Sequence, residues 1–471
     1  MKKAIMSMFA VVAAVALNAA TINQVIVRQQ WPWSTKVKVE YSLSGVDASH
    51  PVDIAVSTYN GDDPLPSTNL KAAIEGNLYG VTEEFGEFYI DPVVAYGTEK
   101  IGMTKFKVKL TVSDSPANIG EVLYKIFDLT NGECTDVTRA DLLNGKYGTV
   151  ETDFGRIGEG YNTTLSDVII WTGVTNNPTY KTTKLVMRKI PAAGKIWQIG
   201  SPTSEPGRGV SDSETQKYVR LSQDYYIGVF EFTQAQFANV VSGGSNPSSF
   251  TEDADAAFHP VDNVSYSSLR GNLTYLGPSG EKINWPTNSY LHEVVTESGR
   301  ASFMKDLRAR CRGVEFDLPF DPQWEFACRA GTYNKGLSDG LGLGSGAEES
   351  PRLDALGWYK ANSGGKTHAV GLKRPNAFGL YDMHGNVREV LANWSGVVEN
   401  GSSGTGSTDA DPLVDPVGQV STSGARTSRG GWYNAVPSYC RSAYRAARTD
   451  YYNKSPEQGF RVVCPVDSTW E

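Results

Sequence analysis

The chain has 471 residues, 40% of them hydrophobic, with 48 glycines, 23 tyrosines and a formal net charge of −8. That length and apolar share suffice for two or three domains with cores of their own, and the glycine and aromatic content indicates a loop-rich architecture more than stacked long helices. The negative balance, with no Lys/Arg cluster to overcome it locally, argues against nucleic acid as a partner.

Lys2 and Lys3 precede an apolar run from Ala4 to Leu17 that ends in Asn18, Ala19 and Ala20. This is the order of a secretory signal, so residues 1–20 are expected to be removed and the mature chain to start near Thr21. The run is short for a bilayer and nothing comparable follows. Export to the periplasm, cell surface or exterior is expected, without an integral membrane segment.

Residues 21–115 read as an antiparallel β-sandwich module. Val37, Val39, Tyr41 and Leu43 fall on one face of a strand, Phe106, Val108, Leu110 and Val112 repeat that period, and Val52, Ile54 and Val56 lie between. Nothing in this module gathers catalytic residue types, so it is expected to be a spacer or interaction module. Residues 116–184 are expected to be a linker or a continuation of the module, with Val168 to Trp171 as one buried strand.

From Lys184 the texture changes. Tyr218 to Leu221 and Tyr225 to Phe230 are strand-like, and Thr233-x-x-Gln236 predicts a capping box opening a short helix. Asp321-Pro322 predicts a second helix with Asp321 as N-cap, an i, i+4 pair between Glu325 and Arg329, and Trp324 and Cys328 on one face. Glycine- and serine-rich loops follow and are expected to be the working parts.

The stretch from Pro375 to Trp394 packs Asn376, Gly379, Asp382, Gly385, Asn386 and Glu389 into one segment. Asp382 and Glu389 are hard oxygen donors and Gly385 lets backbone carbonyls turn inward, which suits Ca²⁺. An Asx-type turn with a solvated Glu389 accounts for the same spacing. Five cysteines, Cys134, Cys311, Cys328, Cys440 and Cys464, form no CxxC pair. The histidines His50, His259, His292, His368 and His384 show no zinc spacing.

In order, WQIGS, YVRLSQDYYIGVFEFTQAQFANV, HPVDNVS, FDLPFDPQWEFACRAGT, PNAFGLYDMHGNVREV, SRGGWYNAVPSYCRSAYRAAR and QGFRVV resemble the sulfatase-modifying factor (formylglycine-generating enzyme) family. The resemblance implies a loop-rich α+β domain of the C-type-lectin kind over residues 185–465, with 466–471 as a tail. It also implies structural Ca²⁺ on Asp382, Gly385, Val387 and Glu389. The family's oxidase holds Cu(I) between two cysteines five residues apart. Here the second is Cys440 and the first falls on Ala435, while Trp432 replaces a serine and Arg388 a tryptophan. A single thiolate is a poor Cu(I) site, so Cu(I) is not expected, and Cys440 is the catalytic candidate of the alternative, oxidase reading. A helical histidine-bearing extra domain, as in the family's iron-dependent sulfoxide synthases, is not matched by the β module, which carries only His50.

Recognition of a peptide, protein or glycan is the function expected instead. Trp432, Tyr433, Asn434, Ser438, Tyr439, Tyr444, Tyr451, Tyr452 and Asn453 supply rigid rings and small polar groups of the kind that antibody loops use. Two other readings stay open: tyrosines packed inside the fold with Arg441, Arg445 and Arg448 solvating it, and a structural role in an envelope.

Overall fold

The computed structural model describes residues 19–466 apart from 31, 100, 103–104, 153–168, 209–213, 242, 244, 272–301, 333, 340–341, 344–348, 395–403, 417–425 and 450–451. The expected signal core therefore lies outside the described residues. No helix among those described is long and apolar enough to cross a membrane. The chain divides into two compact units, one of residues 1–121 and 139–146, the other of 122–138 and 147–471.

The first unit contains β1 (Thr21–Gln29), β2 (Val37–Ser44), β3 (Val52–Asn60), β4 (Asp63–Pro64), β5 (Ile74–Gly76), β6 (Phe85–Ile90), β7 (Phe106–Asp114), and the short helices α1 (Pro92–Tyr96) and α2 (Arg139–Leu143). Two antiparallel sheets, β1-β2-β6-β5 and β4-β3-β7, enclose one core. The period-two reading holds: Val37, Val39, Tyr41 and Leu43 are buried there with Val52, Ile54, Phe88, Phe106 and Leu110, while Val56, Val108 and Val112 are half-buried at its margin. This is the expected sandwich.

The second unit contains β8 (Val122–Asp128), β9 (Cys134–Thr138), β10 (Lys184–Ile190), β11 (Ile196–Ile199), β12 (Lys217–Arg220), β13 (Tyr225–Gly228), α3 (Gln234–Val240), α4 (Tyr266–Arg270), α5 (Phe303–Arg310), α6 (Asp321–Arg329), α7 (Pro351–Asp354), β14 (Arg388–Trp394), β15 (Leu413–Val414), β16 (Arg426–Arg429), β17 (Ala446–Thr449), β18 (Gln458–Gly459) and β19 (Val463–Pro465). Its largest sheet runs β19-β13-β10-β8-β9 and is antiparallel throughout. The stretch expected as a linker or a continuation of the first module thus supplies two strands of this sheet. Its remainder is divided: residues 116–121 and 139–146 belong to the first unit. Val168 lies outside the described residues, Ile169, Ile170 and Trp171 are buried as expected, and among the described residues Ile170 forms an isolated bridge with Glu151 instead of a full strand pairing.

Short capped helices cover the sheet with rings. Phe237 of α3 stacks on Phe303 of α5 at 4.7 Å, and Phe232 on Phe460 at 5.2 Å. The capping box of α3 is as predicted, Gln236 N–H donating to Thr233 Oγ1 at 3.2 Å and Thr233 N–H to Gln236 Oε1 at 3.0 Å. At α6 the residue before the helix is Phe320, and Asp321 is the first helical residue instead of the predicted cap. Its carboxylate is spent elsewhere, on Arg429 Nε at 2.5 Å and Arg445 Nε at 2.8 Å. The Glu325–Arg329 pair forms at 2.8 Å, and Glu325 also takes Arg429 Nη2 at 2.6 Å. The sheet β17-β16-β14-β18 lies beside α6 and carries the candidate site.

Candidate functional site

The loop entering β14 is pinned from several sides. Asn376 Nδ2 donates to the carbonyls of Ala327 and Cys328 at 2.8 and 3.0 Å, tying the loop to α6. Asp382 and Asn386 both adopt positive φ, +59° and +62°, held by their neighbours. A Cβ at Gly385 would stand 2.1 Å from the Trp358 carbonyl oxygen, and Asn386 N–H donates to that oxygen at 2.8 Å. Glycine is therefore required at 385 by backbone-to-backbone approach.

Below the loop lie three buried carboxylates and one arginine. Glu231 accepts from Asn386 Nδ2 at 2.7 Å and Val387 N–H at 3.1 Å. Burial, then the charges of Asp382 and Glu389, push its carboxyl well up. Glu389 is buried, which removes the solvated-turn reading. Each of its oxygens accepts two bonds, Oε1 from Arg461 Nε and Nη2 at 3.1 and 2.9 Å, and Oε2 from Arg461 Nε at 3.2 Å and Trp324 Nε1 at 2.7 Å. Asp382 Oδ2 accepts from Gly371 N–H at 2.8 Å, whereas its buried Oδ1 has no partner. Burial pushes the Asp382 carboxyl up to about 6.

The fit to the expected Ca²⁺ is thus uneven. Asp382 has a spare buried oxygen, and the excess of acid over base suits a cation. Glu389 has its lone pairs committed to Arg461 and Trp324. Elsewhere, Asp253, Asp255 and His259 bring ligand atoms within 4.8 Å of one another, but Asp253 is held by Lys366 at 2.8 Å and His259 Nε2 faces Asp255 at 3.2 Å.

The candidate sulfur is buried. Cys440 is fully buried among Leu337, Leu343, Leu353, Leu356, Tyr359 and Ala435, is a free thiol, and burial pushes it up to about 12. A Cβ at Gly431, which has φ +75°, would stand 2.4 Å from its sulfur. Ala435, at the other thiol position, is buried in the same cluster. A histidine that sequence spacing did not reveal does lie here. His384 Nδ1–H donates to the Cys440 carbonyl at 2.8 Å, which leaves Nε2 to accept from Ser338 N–H at 3.1 Å. Nε2 is 3.9 Å from Cys328 Sγ, and all of these groups are buried. The imidazole addresses the main chain of Cys440 and leaves its thiol alone.

Over this cluster stands a stack of rings. Trp432 and Tyr439 lie 5.6 Å apart at 29°, Tyr439 and Tyr444 4.7 Å apart at 16°, and the Arg388 guanidinium sits 5.6 Å from the Trp432 ring. Tyr439 is 40% exposed and Trp432, Ser438 and Tyr444 are half-buried, with Asn434 exposed between them. Tyr452 and Asn453 are exposed on the loop before β18. Two predicted contact residues stand apart. Tyr433 is buried, edge-on to Phe250 at 5.2 Å, with its carbonyl accepting from Ser363 Oγ at 2.6 Å, so it braces the loop instead of facing a ligand. Tyr451 lies outside the described residues.

The arginines overturn the reading in which they solvate the surface. Arg441 is fully buried and bonded to Glu205 at 2.7 Å and Glu214 at 2.8 Å, and Arg445 is buried on Asp321. The side chain of Arg448 is outside the described set. Arg388, Glu231 and Arg461 are the site residues that spacing alone did not single out as contributors.

A family profile described as the sulfatase-modifying factor enzyme 1-like domain matches residues 192–466, starting after and ending one residue beyond the expected 185–465. Among characterised proteins, the chaperone protein LppX of Paenibacillus barcinonensis is 25% identical over 277 residues, 53% of this chain and 83% of the relative. The formylglycine-generating enzyme of Streptomyces coelicolor is 27% identical over 277 residues, 55% of this chain and 84% of that one. Treponema denticola variable protein 1 superposes with a TM-score of 0.41 at 23% identity, covering 60% of this chain and 95% of its own. PvdO from Pseudomonas aeruginosa gives 0.41 at 20%, covering 60% and 94%.

Proposed function

Because the chain belongs to the sulfatase-modifying factor family, its scaffold is settled, and we propose that it serves recognition instead of formylglycine oxidation. The observation that carries this reading is the state of Cys440: a neutral thiol sealed under Gly431, with Ala435 where a second sulfur would be needed. Ala435 supplies no second soft ligand beside Cys440, and a single buried thiol is a poor Cu(I) site. The stack of Trp432, Tyr439 and Tyr444, in which Tyr439 is exposed, with Asn434, Ser438, Tyr452 and Asn453 around it, is the surface proposed to take a peptide, protein or glycan. A chaperone among the relatives accords with binding of a polypeptide. Export of the mature protein, with the sandwich as a spacer, belongs to the same proposal.

We also propose Ca²⁺ as the brace of the loop entering β14. Asp382 and the carbonyls of Gly385 and Val387 would hold it, and Glu389 would join only by loosening Arg461. Bound there, the ion would neutralise the acid excess and stiffen the backbone beneath the rings. The test of the main reading is direct. The purified protein, supplied with copper and a cysteine-containing sulfatase peptide, is expected to form no aldehyde, and Tyr439→Ala is expected to abolish capture of ligand from an immobilised peptide and glycan panel. Aldehyde formation that disappears in Cys440→Ala would restore the oxidase.

A further inference from the structure

We infer that Arg388 is the recognition point for a carboxylate on a peptide ligand. The inference rests on the recognition reading above and names the chemistry of the ligand. Three of the other arginines of this unit are saturated. Arg461 bonds to Glu389 and to the carbonyls of Gly228, Val229 and Tyr381, Arg429 to Asp321, Glu325 and the Ser442 carbonyl, and Arg441 to Glu205, Glu214 and the Ser438 carbonyl.

Arg388 differs. Its backbone is fixed, since its N–H donates to the Glu457 carbonyl at 2.8 Å and the residue pairs with Gln458 across β14 and β18. Its guanidinium rests on Trp432, its buried Nε has no partner, and no described residue accepts a bond from the side chain. Glu457 is the acid nearest in influence, yet no ion pair forms between them.

A guanidinium beside an indole, with its N–H donors unspent, suits a planar oxyanion in two-point contact. The rings beside it decide the rest. Tyr439 and Tyr444 continue the stack from Trp432 and offer ring edges and hydroxyls to an apolar side chain, while Asn434 and Ser438 suit amide groups. A polyanion would meet the net charge of −8, whereas a single carboxylate meets Arg388 alone. A peptide carboxylate, from a C-terminus or an Asp/Glu side chain, satisfies both conditions.

The experiment follows the Arg388 Nε–Hε signal by ¹⁵N–¹H NMR in the full-length mature protein. Three probes are titrated: N-acetylphenylalanine, which carries a terminal carboxylate, N-acetylglutamic acid α-amide, which carries a side-chain one, and N-acetylphenylalanine amide, which carries none. The expected result is a shift of that signal with the first or second probe, tighter by about tenfold than the third. Whichever acid wins identifies the source. Arg388→Lys, which keeps the charge and loses the fork, is expected to weaken the acid about tenfold, and Arg388→Gln to erase the difference between acid and amide. Equal binding of acid and amide that Tyr439→Ala abolishes would overturn the carboxylate assignment and leave the recognition surface standing. Failure of all three probes to perturb Arg388, Trp432 or Tyr439 would overturn both.

Discussion

Glu389 and Arg461, 72 residues apart in sequence, are locked together inside the domain, with Arg461 Nη2 donating to Glu389 Oε1 at 2.9 Å. The pair joins β14 to the chain ahead of β19, and the same guanidinium reaches the carbonyls of Gly228, Val229 and Tyr381. Removing one partner strands a buried charge. Glu389→Ala is expected to lower the unfolding free energy by about 3–5 kcal/mol, and adding Arg461→Met should not restore it, because the three carbonyls then lose their donor. Urea unfolding followed by tryptophan fluorescence checks both, and a loss under about 1 kcal/mol for the single change would show the pair to be dispensable.

Thiol accessibility separates the buried cysteines from the exposed one. Of the five, Cys134 is exposed and Cys311, Cys328, Cys440 and Cys464 are buried. Prolonged treatment of the folded protein with excess iodoacetamide at pH 8.5, read by mass spectrometry, should modify Cys134 first, and slowly, because burial pushes its thiol up to about 11. Modification of Cys440 at a comparable rate would contradict its burial and reopen the question of a reactive sulfur.

Calcium should act through Asp382. A millimolar addition of Ca²⁺ is expected to raise the thermal midpoint of the wild-type protein, since a ligand that binds only the folded state stabilises it by mass action. Asp382→Asn should lose that response. A response of equal size in the variant would place the ion elsewhere.

Asp262 gives a pH dependence with a defined sign. It is fully buried, accepts from Ser249 N–H at 2.8 Å, and has one oxygen with no partner. Burial raises its carboxyl from 3.8 to about 6. Between those values the folded state holds a proton that the unfolded chain has released, so stability should fall as pH rises from 4 to 6, by on the order of 2–3 kcal/mol. The fall attributable to this group should be absent in Asp262→Asn, measured as midpoint against pH for both proteins.

Gly385→Ala should be among the most damaging single changes. Its Cβ would meet the Trp358 main chain at 2.1 Å and its φ is +148°. Neither a rotamer change nor a side-chain shift relieves a backbone clash, so loss of more than about 3 kcal/mol is expected by chemical denaturation.

What could be read from sequence was what local spacing controls. The buried face of β2, the capping box at Thr233 and the Glu325–Arg329 pair each depend on residues within one or two turns, and each is found as expected. What could not be read depends on distant partners. Asp321 looks like a helix cap in isolation and becomes an ion-pair residue only because Arg429 and Arg445 arrive more than a hundred positions later. Arg441 looks like a solvated surface charge until Glu205 and Glu214, 236 and 227 residues away, are folded onto it. The β8–β9 hairpin was hidden for a related reason, since the strand that pairs with β8 on its other side, β10, begins 56 residues after β8 ends.

Along 432–445 the outward rings, Trp432, Tyr439 and Tyr444, share one backbone with the inward arginines, Arg441 and Arg445. The scaffold and the display face are thereby encoded by different letters of the same segment. A library that randomises only the outward positions should keep its fold across most members, because the buried ion pairs of Arg441 and Arg445 are left untouched.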